Sequence, residues 1–155
     1  MTSTFSLLGS RIRQGLAIFL FASVCAASLA AANRSIVAGT PRRVAPNTKL
    51  AIPVVATTDV GGGEKIGFFH GEYSTDGGKT WTGFCFESNL SPSVTRQAHV
   101  ESGAAGSTIV IRVRIAFRGG AAGDVDYTGS AIKWNDSWEK WGEPPAKYFR
   151  IPVGS

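Results

Sequence analysis

Apolar and polar residues alternate along much of this chain, and the alternation breaks at glycine, proline and asparagine. The clearest run spans residues 107–117, where Ile109, Ile111, Val113, Ile115 and Phe117 share one face. Arg112, Arg114 and, just beyond, Arg118 fall on the other face. Period-two alternation of this kind predicts a strand with one side buried and one side wet. Phe117 and the β-branched residues before it are therefore expected to anchor a core. Leu50-Ala51-Ile52-Pro53-Val54-Val55-Ala56 predicts another strand, and Pro53 within it points to a sheet edge or a bulge. Residues 66–72 and 82–86 are two aromatic-rich segments flanking Asp76-Gly77-Gly78. The glycines supply the positive φ angles of a tight turn, so this stretch predicts a β-hairpin. Residues 94–100 read as a modest strand, and 147–153 closes the sheet. Residues 33–47, with Pro41, Pro46 and Asn47, read as an irregular arm. Short strands separated by Gly, Pro and Asn turns predict an all-β antiparallel sandwich.

The first 32 residues follow a different pattern. Arg11 and Arg13 precede an apolar run from Leu16 to Val24, and Ala26, Ala27, Ser28, Leu29, Ala30, Ala31 and Ala32 follow. A basic start, a short apolar stretch and an alanine-rich end describe a secretory signal peptide. The run falls short of the about 20 apolar residues of a membrane span. Cleavage is expected after Ala30 or Ala32. A lipid-anchored reading through Cys25 is weaker, because Val24 stands where a small residue is wanted. No second apolar segment of spanning length follows. The mature chain, 33–155, is expected to be a single domain in the periplasm or outside the cell.

Charge and cysteine content narrow the partners. Removing Arg11 and Arg13 lowers the formal net charge from +5 to +3, too mild to argue for nucleic acid. Removing Cys25 leaves Cys85 alone, so no intrachain disulfide is expected. Between Phe84 and Phe86 this thiol reads as a small buried apolar group, with a reactive or intermolecular thiol as the alternative. Gly61-Gly62-Gly63 lacks the Lys-Ser/Thr pair of a phosphate loop. His70 and His99 fall on separate strands, and there is no Gly-x-Ser-x-Gly elbow. No enzyme is expected. Arg112, Arg114 and Arg118 either form a stripe for an acidic glycan or cover the sheet and pair with nearby carboxylates.

Ser74-Thr75-Asp76-Gly77-Gly78-Lys79-Thr80-Trp81 resembles the Asp-box of sialidases and other β-propellers, Ser-x-Asp-x-Gly-x-Thr-Trp. There the box is a structural hairpin remote from catalytic groups, so the likeness implies a turn and no activity. Residues 109–117 resemble the penultimate strand of fibronectin type III domains, and residues 73–78 their central hairpin. This likeness implies an immunoglobulin/fibronectin-like β-sandwich. It ends at an insertion, residues 119–145, placed before the last strand.

The insertion holds most of the unusual chemistry. Asp124-Val125-Asp126-Tyr127-Thr128-Gly129 has alternate carboxylates and a glycine, either half a calcium loop or a solvated turn. Asp136 and Glu139 resemble a capping box, and Gly142-Glu143-Pro144-Pro145 a stop, so one short helix is expected over 137–141. Trp134, Trp138 and Trp141, spaced i, i+4, i+7, would then share one side. They form either a lid on the core or a platform for sugar rings, with Asn135, Asp136, Glu139 and Lys140 as hydroxyl partners. Trp134, Asn135 and Asp136, with Tyr148 in the last strand, also resemble the last loop of starch-binding modules.

Two functions are consistent with these features. One is a secreted, non-catalytic carbohydrate-binding module for a polysaccharide or cell-surface glycan. Its ligand residues would be Trp134, Asn135, Asp136, Trp138, Trp141 and Tyr127, with Trp81 a further stacking candidate; Asp124 and Asp126 are the candidate calcium ligands. The other is a fibronectin-like structural or protein-interaction domain of the bacterial envelope, with its tryptophans in the core. An envelope protein with a calcium-stabilised loop is a third.

Overall fold

The alternating run at 107–117 becomes the central strand of an all-β structure. The computed structural model describes residues 33–132 and 144–154, which belong to one compact unit. Eight strands run β1 (Arg34–Ala38), β2 (Lys49–Thr58), β3 (Lys65–Ser74), β4 (Thr82–Ser88), β5 (Ser93–Glu101), β6 (Thr108–Gly120), β7 (Gly123–Asp126) and β8 (Lys147–Pro152). They form two antiparallel sheets, one ordered β1-β2-β5 and the other β4-β3-β6-β7, with β8 also on β6. One long edge of β6 pairs with β3. Its other edge is shared end to end, with Thr108–Val113 facing β8 and the far end facing β7.

Ile109, Ile111, Val113, Ile115 and Phe117 are all fully buried, so the predicted inner face is the real one. They pack with Phe69 of β3, Ile52 and Val54 of β2 and Ala98 of β5, which makes a single core between the two sheets. Burying each such aliphatic or aromatic side chain contributes about 1.5–3 kcal/mol, so β6 is the main source of cohesion. The opposite face is drier than alternation alone implies, since Val110 and Ala116 are buried there too.

Side chains tie the two sheets together at their margins. Glu87 of β4 accepts from Arg96 Nε of β5 at 2.7 Å. Lys147 Nζ of β8 donates to the Ile36 carbonyl of β1 at 2.8 Å. Arg34 of β1 reaches Glu64, just before β3, and its guanidinium lies 5.8 Å over the Phe117 ring. Each contact sits where a sheet edge would otherwise meet water.

Two expectations change. The arm at 33–47 contains a strand, β1, which short length and the single fully inward apolar residue Ile36 hide from a periodicity reading. Asp124 to Asp126, expected in half a calcium loop or a solvated turn, belong to the strand β7, because β6 continues far enough to offer them an edge. Pro53 lies in a strand that is central in its sheet, yet β1 pairs with β2 only from Val54 to Thr58. The proline thus falls where that ladder has ended, and its carbonyl accepts from Gly39 instead. No helix occurs among the described residues. The helix expected over 137–141 lies outside them.

Candidate functional site

The turn after β3 is knitted by side chains rather than left to glycine alone. Ser74, the last residue of β3, is buried and donates from Oγ to Asp76 Oδ1 at 2.7 Å. The same Oγ accepts the Gly78 amide at 2.8 Å. Asp76 accepts the Lys79 and Thr80 amides, both at 2.9 Å, and the Thr80 hydroxyl at 2.7 Å. Gly77 and Gly78 have φ of 76° and 99°, so only glycine fits there without strain. Hydrogen bonds from Thr80 and Ser74 hold the Asp76 carboxyl well below the usual carboxylate range. The residues of the Asp-box pattern therefore each have a structural task, and its last residue, Trp81, is delivered to a fixed place.

That place is the outer face of the larger sheet. The Arg112 guanidinium lies 3.9 Å from the centre of the Trp81 ring, a close cation–π contact. The Tyr148 ring meets Trp81 edge-on, with centroids 6.4 Å apart. Arg112 is held in turn by Glu72 across the β3–β6 ladder, with Nε donating at 2.7 Å. Arg114 Nη1 reaches the same Glu72 oxygen at 3.3 Å, and His70 Nε2 stands 3.8 Å from the other. Further along the face Phe86 packs edge-on to Phe68, centroids 5.5 Å apart, and to His70 at 5.4 Å. Tyr148 is 50% exposed and Phe86 61% exposed, the two exposed Phe, Tyr or Trp rings among the described residues. The face is thus a row of rings with ion-paired arginines between them.

A bulge decides which phenylalanine is outside. Gly71 pairs with Cys85 but Glu72 pairs with Gly83, leaving Phe84 as the extra residue. Its ring lies over Gly71, where a Cβ would approach to 2.4 Å. Phe84 therefore packs against the core beside Cys85, and Phe86 alone faces out. Burial, then the charge of Glu87, pushes the Cys85 thiol up to about 12.

The residues singled out from sequence are distributed unevenly. Tyr127 is half-buried and packs on the core cluster. Asp124 Oδ2 accepts from Arg118 Nε at 3.0 Å. Asp126 is buried and accepts the Thr128 amide at 2.7 Å, its hydroxyl at 2.6 Å and the Ser130 amide at 3.1 Å, closing its own turn. Both carboxylates thus serve donors of this chain, and no metal-holding group of three or more His, Cys, Asp or Glu occurs among the described residues. Trp134, Asn135, Asp136, Trp138 and Trp141 lie outside the described residues, as do Glu139 and Lys140. The chain leaves the described part after Ile132 and re-enters at Pro144, three residues before β8. Arg112 as the cover of Trp81 and Phe86 as an open ring are not evident in the sequence. The alternation of 147–151 does place Tyr148 outward.

A second depression, about 530 Å³, is lined by Lys49, Leu50, Tyr73, His99 and Glu101. Its lining sets the opposite charges of Lys49 and Glu101 beside the two rings of Tyr73 and His99. No family model matches the chain and no curated protein matches it, so the functional reading rests on the geometry of these two sheets.

Proposed function

We propose that this protein is an exported, non-catalytic carbohydrate-binding module whose ligand lies on the outer face of the larger sheet. The observation that carries this reading is the half-exposed Tyr148 ring set against Trp81, which is covered by Arg112, itself held by Glu72. Sugar rings stack their apolar C–H faces on exposed aromatics, and arginine and carboxylate groups alongside hydrogen-bond the hydroxyls. A rigid platform limits the ordering cost of binding, and here the ring position is set by the turn and by the cation–π contact. Sheet composition supports an immunoglobulin/fibronectin-like arrangement: the first, second and fifth strands lie in one sheet and the third, sixth and last in the other. The basic, apolar and alanine-rich start of the chain supports export to the periplasm or beyond. No cofactor enters this reading. The second reading, a fibronectin-like structural or protein-interaction domain, is favoured by Phe86, an exposed ring packed edge-on to Phe68 and His70.

The test is tryptophan fluorescence of the mature protein titrated with a panel of soluble polysaccharides, with acrylamide as quencher. One glycan should give a saturable shift, and Tyr148→Ala should weaken it at least about tenfold, equal to about 1.4 kcal/mol. A flat response to every glycan, with Tyr148→Ala indistinguishable from wild type, would leave the protein-interaction reading in its place.

A further inference from the structure

The arginines on the described strands are paired almost throughout. Arg34 meets Glu64, Arg96 meets Glu87, Arg112 and Arg114 share Glu72, and Arg118 meets Asp124. Arg150 of β8 is the exception: it is exposed and makes no ion pair among the described residues. It stands beside the open ring of the platform. Tyr148 and Arg150 are two positions apart on one strand, so both side chains rise from the outer face. In the β6–β8 register Arg112 lies opposite Tyr148 and Val110 lies opposite Arg150. Arg112 and Arg150 are therefore diagonal neighbours, about 7–8 Å apart, with the tyrosine beside both. The residue across from Arg150 is an apolar valine, so the ladder offers its guanidinium no carboxylate. Lys79, exposed in the turn that delivers Trp81, adds a further cation without an ion pair among the described residues.

We propose that the sugar bound on this face is acidic, and that Arg150 takes its carboxylate or sulfate group while the sugar ring stacks on Tyr148. This rests on the carbohydrate reading given above and adds the class of ligand. The acid group of such a sugar projects from the rim of its ring, so stacking on Tyr148 carries it toward the next outward position of the strand, which is Arg150. A guanidinium offers parallel N–H donors that match two oxygens of one carboxylate or sulfate. Arg112 is already committed: Glu72 holds it and Trp81 lies beneath it, so it fixes the platform. Arg150 has no such commitment, and an anion reaching it displaces only water. A neutral sugar gives it hydroxyl acceptors alone, and charge-assisted hydrogen bonds are roughly twice as strong when both partners are ionised as between neutral groups.

The test sets each acidic polysaccharide beside a neutral counterpart and follows tryptophan fluorescence. The pairs are polygalacturonate and its methyl ester, carboxymethylcellulose and hydroxyethylcellulose, and dextran sulfate and dextran. In at least one pair the acidic member should bind about tenfold tighter, the scale of one hydrogen bond to a charged group, and the margin should shrink as salt is added. Which pair shows it separates a carboxylate ligand from a sulfate. Arg150→Gln should erase the margin while leaving any neutral binding unchanged, and Arg150→Lys should keep part of it. A neutral member bound as tightly as its acidic mate in every pair overturns the proposal and leaves the carbohydrate reading standing. A margin that Arg150→Gln does not reduce overturns the role of Arg150. No response to any member sinks both readings together.

Discussion

Replacing Glu64 by glutamine is the sharpest test of how the first strand is held. The Glu64 side chain is 0% exposed, and Arg34 opposite it is 15% exposed. Oε1 accepts from Arg34 Nε at 2.8 Å and from the Thr58 hydroxyl at 2.6 Å, while Oε2 accepts from Arg34 Nη2 at 2.6 Å. Glutamine keeps one oxygen and turns the other into an NH₂ group, which then faces an arginine donor. Removing one partner of a buried ion pair costs about 3–5 kcal/mol, because the other charge stays behind uncompensated. Arg34 retains some contact with water and the Phe117 ring beneath it, which places Glu64→Gln at the low end, about 3 kcal/mol. Urea unfolding followed by tryptophan emission should show a lower midpoint at an unchanged slope. The thermal midpoint should fall by about 10 °C. The pair Arg34→Met with Glu64→Leu should recover most of the loss, since an apolar pair leaves no stranded charge. A loss under about 1 kcal/mol for Glu64→Gln, or a double variant as unstable as the sum of its singles, would refute the reasoning.

Three further outcomes follow from the same geometry. Burial alone would raise the Glu64 carboxyl, but hydrogen bonds from Arg34 and Thr58 outweigh it and hold it below its ordinary value; Arg96 does the same for Glu87. Carboxyls lowered by folding stabilise above their unfolded pKa of about 4.3 and lose that contribution as pH falls through their folded values. Thermal midpoints should therefore hold from neutrality to about pH 5 and decline below about pH 4.5, with a shallower decline in Glu64→Gln; an acid limb unchanged by that substitution would count against the account. Gly71→Ala drives a methyl into the Phe84 ring, with an expected loss of about 1–3 kcal/mol in urea unfolding that Phe84→Leu partly relieves; a neutral Gly71→Ala would mean the bulge can yield. Cys85, buried and with its thiol pushed up to about 12, should resist iodoacetamide at pH 8 in the native protein and react fully in denaturant. Rapid native labelling would show the thiol to be open.

The hairpin shows how local signals and tertiary ones divide. Ser74, Asp76, Gly78 and Thr80 act within a few residues of each other, so their pattern alone predicts the turn that forms. Where Trp81 then lands depends on Arg112, far along the chain on β6, and no local pattern carries that. The arginine stripe behaves likewise: alternation puts Arg112 and Arg114 on one face, but only the β3–β6 register brings Glu72 between them. Asp124 and Asp126 have the spacing of cation ligands, yet one is taken by Arg118 and the other by its own turn.

The all-β class and the inner face of β6 followed from period two, because a strand's side chains alternate whatever it pairs with. Turn positions followed from glycine and asparagine, because positive φ is a property of the single residue. Strand partners, the bulge that turns Phe84 inward, and the short strands β1 and β7 did not follow. These depend on which edges are free once the long strands have paired, and on which side chains meet across sheets. That information belongs to distances between residues far apart in the chain, so only the folded structure decides it.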